Sequence, residues 1–125
     1  MSHFGIKILL TSFSLSLVMD LYNQLLELSQ KLDRTLHNIP KVSRDYAEAQ
    51  REYRTILAET VLRLENEGRP VTNLQIIARG KKEVARAKVR EITTEALYKA
   101  TLEAINVYKL QIRILSEQLE REYEG

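Results

Sequence analysis

The chain has 125 residues, with 19 Lys and Arg against 17 Asp and Glu and a formal net charge of +2. Hydrophobic residues make up 44% and charged residues 29%, which excludes a disordered chain, because disordered chains carry too few apolar groups to offset their ordering entropy. The absence of Cys excludes disulfides, thiolate metal sites and a cysteine nucleophile, and four Gly with two Pro are few for a turn-rich β-sandwich.

Residues 1–19 differ from the rest: Lys7 is their one Lys or Arg, no Asp or Glu occurs, and five Ser or Thr are interspersed. Three readings compete. The segment is an extension upstream of a natural start at Met19, a cleaved or anchoring leader, or a packed element of the fold. Lys7 and the apolar Ile8–Leu10 partly fit a signal peptide, but no small-residue cleavage site precedes Asp20. A membrane span needs ~20 predominantly apolar residues, and this stretch is too short and too rich in hydroxyls. Ser12–Leu17 alternates polar and apolar, a weak strand pattern. The expected organisation is an apolar leader over 1–19 and a single helical domain over 20–125.

The spacing predicts a first helix over about 21–38, capped by Asp20, with Leu21, Leu25, Leu28, Leu32, Leu36 and Ile39 in one stripe. Pro40 disfavours helix at Ile39 and is expected to end it. A second helix is expected from Ser43, with the stripe Tyr46, Ala49, Tyr53, Ile56, Leu57, Thr60, Val61 and Leu64. Gly68 supplies a left-handed stop. Thr72-Asn73-Leu74-Gln75 reads as a capping box, stapled by Val71 and Ile76, opening a short third helix that stops near Gly80.

The last helix is predicted from Lys82 to Tyr123, ~63 Å at ~1.5 Å per residue. Its first half carries Ala85, Val89, Ile92 and Ala96. Its second half carries two stripes: Tyr98, Ile105, Ile112 and Leu119 at seven-residue spacing with Tyr108 and Leu115, and, on nearly the opposite side, Ala100, Val107 and Ile114 flanked by Leu110. A helix apolar on two sides is covered on two sides. The seven-residue register makes Tyr98, Ile105, Tyr108, Ile112, Leu115 and Leu119 the candidate oligomer interface. The fold class expected is all-α: an antiparallel helical hairpin or bundle with one short helix and a long C-terminal helix, oligomerising through that helix.

Asp45-Tyr46-Ala47-Glu48-Ala49, Lys82-Glu83-Val84-Ala85, Glu95-Ala96-Leu97-Tyr98-Lys99-Ala100, Glu103-Ala104-Ile105 and Lys109-Leu110-Gln111-Ile112-Arg113 form a pattern. From Met19 onward, the chain resembles a family of small helical proteins from phages and prophages of Gram-positive bacteria. The resemblance implies a phage origin and a start near Met19. It carries no assigned activity.

No residue constellation points to catalysis. His37 lies four residues after Asp33, so the two share a helix face, but zinc typically takes three or four protein ligands. No HExxH, GxSxG or CxxC is present, and Gly80-Lys81-Lys82 lacks the first glycine and the spacing of a phosphate loop. The carboxylates are scattered, several in helical pairs such as Glu95–Lys99 and Glu117–Arg121. The expectation is a protein that is not an enzyme, with no cofactor, no metal and no small-molecule substrate. Tyr46, Tyr53, Tyr98 and Tyr108 fall on apolar stripes, as packing residues with the hydroxyl at the edge.

Charge distribution is the most informative feature. Gly68–Arg90 contains Arg69, Arg79, Lys81, Lys82, Arg86, Lys88 and Arg90 against one acid, Glu83, whereas residues 91–125 hold four basic and seven acidic residues. This basic elbow is the candidate contact for nucleic acid or an acidic partner. A helix-turn-helix over Val71–Arg90 fits poorly, because Lys81 and Arg86 stand where apolar anchors are expected. The leading functional expectation is a cytoplasmic, homo-oligomeric module of a bacterial host's phage, acting by protein–protein interaction, with a host factor as candidate partner. The alternatives are a nucleic-acid-binding accessory protein and, more weakly, a membrane-tethered helical protein.

Overall fold

The computed structural model describes residues 3–124, with side chains for residue 12 and residues 14–124. The protein is all-α. Helix α1 runs His3–Asn66, a 3₁₀ turn at Val71–Asn73 leads into α2 (Leu74–Arg79), and α3 runs Lys82–Glu124. Among the described residues there is no strand, so Ser12–Leu17 is helical despite its alternation.

Helix α1 corrects two expected boundaries. It does not begin at Asp20, and it does not end at Pro40, which lies inside it. A proline in a helix interior removes one N–H donor and crowds the carbonyl four residues before it. Pro40 stands on the exposed side, as does Leu36, so the carbonyl left without its partner is on the side open to water. The inward side keeps its register without interruption. Leu21, Leu28, Thr35, Val42, Ala49 and Ile56 form one seven-residue series, and Leu25, Leu32, Ile39, Tyr46, Tyr53 and Thr60 form the other, all buried or half-buried. Thr35 therefore takes the inward place assigned to Leu36, which is exposed. Its hydroxyl is satisfied within the helix, donating to the Lys31 carbonyl at 2.8 Å.

Helix α3 carries the matching pair of series. Val84, Glu91, Tyr98, Ile105, Ile112 and Leu119, with Ala87, Thr94, Thr101, Tyr108, Leu115 and Glu122, are all buried or half-buried. Seven-residue spacing keeps one face turned to a neighbouring helix, the requirement of coiled-coil packing.

The chain divides into two compact units. The first comprises Met1–His37 with Glu103–Gly125, and the second Asn38–Leu102. In the first unit Leu21 and Ile105 are buried. A groove of about 380 Å³ is lined by Leu28 and Lys31 of α1 with Gln111, Ile114 and Leu115 of α3. A second groove, of about 240 Å³, joins Val18, Met19 and Tyr22 to Leu119 and Tyr123. Later residues of α3 thus meet earlier residues of α1, an antiparallel pairing.

The second unit is a hairpin closed by the turn and α2. Its core joins Leu64, Leu74 and Ala78, with Leu57, Val61 and Ile77 against them. Val42, Ala49, Thr60, Val84 and Ala87 are also buried in this unit. The C-terminus of α1 is closed by a Schellman arrangement: the Arg69 amide donates to the Leu64 carbonyl at 3.1 Å and the Gly68 amide to the Glu65 carbonyl at 3.0 Å. Gly68 has φ +83°, the left-handed geometry that only glycine adopts without strain. The expected capping box does not form. Asn73, not Thr72, occupies the N-cap of α2 and makes no side-chain capping bond, and Val71 and Ile76 are exposed rather than stapled. The intervening 3₁₀ turn shifts the first residue of α2 to Leu74 and points that side chain at Leu64 instead.

Candidate interaction surfaces

Some of the residues expected to join two chains also pack within one. In the second unit, Tyr98 faces Tyr46, with ring centroids 6.0 Å apart. In the first unit Ile105 is buried, Tyr108, Ile112, Leu115 and Leu119 are half-buried, and Leu115 and Leu119 line grooves shared with α1. Each unit thus packs part of this seam against α1.

The seam is fenced by charge in the second unit. Arg63 of α1 bonds Glu83 of α3 at 2.8 Å, and Arg90 pairs with Glu52. Lys88 pairs with Glu91 at 3.0 Å while standing 4.7 Å from the centre of the Tyr53 ring. The hydrogen bond from Arg63 holds the Glu83 carboxyl below its ordinary range, and the bond from Lys99 does the same for Glu95. The bond to Glu91 raises Lys88, and that to Glu95 raises Lys99. Glu83, Lys88, Glu95 and Lys99 reach the surface, where salt screens an ion pair. They set register more than stability.

These pairs also sort the basic elbow. Lys88 and Arg90 are committed to acids of the same chain. Arg69, Arg79, Lys81, Lys82 and Arg86 form no ion pair among the described residues; all but the half-buried Lys81 are exposed. Helix α2 is anchored by Leu74 and Ala78 against Leu64, which leaves Arg79 outward at its end. The elbow is thus a real cationic surface, carried by five residues rather than seven.

Among the described residues there is no group of three or more His, Asp or Glu able to hold a metal ion. His37 Nδ1 donates to the Asp33 main-chain carbonyl at 2.8 Å, and its 3.6 Å approach to the Asp33 carboxylate is exposed on both sides. No buried side-chain polar atom among the described residues lacks a hydrogen bond. Thr101, buried in α3, is satisfied by the Leu97 carbonyl at 2.8 Å.

The structure adds a surface that sequence spacing had misassigned. Ala85, Val89, Ile92 and Ala96 do not face α1; all four are exposed, and Val84 and Ala87 point inward in their place. In the first unit Val107, Leu110 and Ile114 are likewise exposed on α3. Val89 at 61% exposure and Ile92 at 54% are branched aliphatic residues exposed in consecutive turns of α3. The signal lay in the sequence: only the Val84 and Ala87 series continue the register of Tyr98 and Thr101. No protein-family model, curated protein or solved structure matches the chain.

Proposed function

We propose that this chain is a non-enzymatic helical protein of phage or prophage origin that works in the host cytoplasm by binding proteins, itself included, and that it modulates a host factor. The outward apolar side of α3 carries this reading. Both units already fill the seam between α1 and α3, yet Val89, Ile92, Val107, Leu110 and Ile114 remain exposed. Apolar rows of this kind mark sites of protein contact. A photo-crosslinking residue at Leu110 tests it in host lysate. A discrete crosslinked protein, lost when Val107→Asp and Ile114→Asp are added, is the expected result. Unchanged labelling in that variant would refute the reading.

The second reading, a nucleic-acid-binding accessory protein, is favoured by the unpaired cations Arg69, Arg79, Lys82 and Arg86. If they contact phosphates, Lys82→Gln with Arg86→Gln should flatten the slope of log affinity against log salt by about two units, at ~0.9 per duplex contact. A membrane-tethered role has less support, since among the described residues no helix is long and apolar enough to cross a membrane.

A further inference from the structure

On α3 in the second unit, Lys82, Arg86, Val89, Ile92 and Ala96 follow one another at spacings of three and four, all exposed. On α3 in the first unit, Val107, Leu110, Ile114, Glu117 and Glu120 do the same, also all exposed. Such spacing puts each set on one side of the helix. One row runs from basic to apolar, the other from apolar to acidic. Lys81–Arg90 holds five basic residues and one acid, and Glu117–Glu124 four acids and one base. Lys82, Arg86, Glu117 and Glu120 form no ion pair among the described residues, so their charges are uncommitted. The apolar members are about half exposed: Val89 61%, Ile92 54%, Val107 44%, Leu110 47% and Ile114 51%.

The two rows are complementary only in opposite directions. Laid antiparallel, Lys82 meets Glu120, Arg86 meets Glu117, Val89 meets Ile114, Ile92 meets Leu110 and Ala96 meets Val107. The small Ala96 opposite Val107 permits close approach of the backbones. Laid parallel, Lys82 and Arg86 would meet Val107 and Leu110, and Glu117 and Glu120 would meet Ile92 and Ala96, so every charge would face an apolar side chain. Opposed charge gives register and partner choice, while the apolar contacts supply the driving force.

We infer that α3 binds a second copy of this chain, the basic-ended row of one copy lying antiparallel on the acidic-ended row of the other. This deepens the protein-binding reading above by naming the partner and the residues that select it.

Charge reversal tests it. One variant carries Lys82→Glu and Arg86→Glu, the other Glu117→Lys and Glu120→Lys, both in the full chain. Each alone opposes like charges at the contact, so self-association should weaken at least about tenfold. An equimolar mixture opposes unlike charges at both rows and should recover the wild-type mass by light scattering. Recovery cannot come from a variant that merely failed to fold. Independently, the wild-type dissociation constant should rise as salt increases from low to high concentration. Three results would overturn the inference: a wild-type chain that stays at 14.5 kDa at tens of micromolar, a mixture no better than its components, or self-association unaffected by salt. A monomer that still crosslinks specifically through Leu110 to a host protein would sink this inference and leave the protein-binding reading standing.

Discussion

Replacing Pro40 by Ala examines the central feature of α1. Inside a helix, proline is about 3 kcal/mol less favourable than alanine, because one hydrogen bond is missing and the ring crowds the preceding turn. Part of that is offset, since proline restricts the unfolded chain by about 0.4–1 kcal/mol. Pro40 is exposed, so an Ala there loses little packing, and its new amide can donate to the Leu36 carbonyl. The net expectation is a gain of about 2 kcal/mol, or roughly 6–10 °C in melting temperature for a chain of this size. Thermal unfolding by circular dichroism reads it, at matched protein concentration because self-association also shifts the midpoint. Amide exchange should show protection at residues 40–44 comparable to that at Ala49. An unchanged or lower midpoint, with fast exchange at these amides, would mean that the chain turns at Pro40 and that the continuous helix is wrong.

Leu64→Ala opens a cavity against Leu74 and Ala78, and should cost about 2–5 kcal/mol in urea unfolding. Gly68→Ala meets no neighbouring atom, so only the φ of +83° resists it; a loss of about 1 kcal/mol is expected by the same assay. Arg63→Ala removes the bond that lowers the Glu83 carboxyl, and an NMR titration should show Glu83 moving up toward the ordinary carboxylate range. The sign follows: a depressed carboxyl stabilises the fold above its unfolded pKa, and that contribution is lost as pH falls through the folded value, so the wild type should lose slightly more stability on acidification than the variant. Ile112→Asp with Leu119→Asp places two carboxylates in the seam of the first unit. It should destabilise that unit by at least about 2 kcal/mol and raise amide exchange there, while Asn38–Leu102 keeps its protection. Retained protection in α3 beyond Glu103 would refute the intrachain packing of the seam.

Much of the fold was legible from residue order. Apolar spacing marked Leu57–Leu64 and Ile105–Leu119 as inward faces, because a helix repeats its faces every three or four residues whatever it packs against. Gly68 marked the end of α1, since its left-handed backbone is a local property of glycine. The surplus of cations over Gly68–Arg90 was likewise countable from sequence. Pairing was not. That Arg90 is committed to Glu52, thirty-eight residues away, and Arg86 is not, depends on which residues the hairpin brings opposite each other.

Sequence alone determined that this protein is helical, where its turn lies and where its charge collects, since these follow from short-range backbone and side-chain preferences. Tertiary structure decided three other matters. Pro40 is tolerated inside α1 because the inward series from Ile39 to Val42 and Tyr46 keeps its packing while the defect faces outward. In the first unit Leu115 and Leu119 line grooves with α1, because there later residues of α3 pair with earlier residues of α1. The outward row of α3 is exposed because the Val84 and Ala87 register, not the equally helical Ala85 and Val89 register, is the one that continues into that seam. Local periodicity allows either face of a helix to turn inward, and only burial against a neighbour chooses between them.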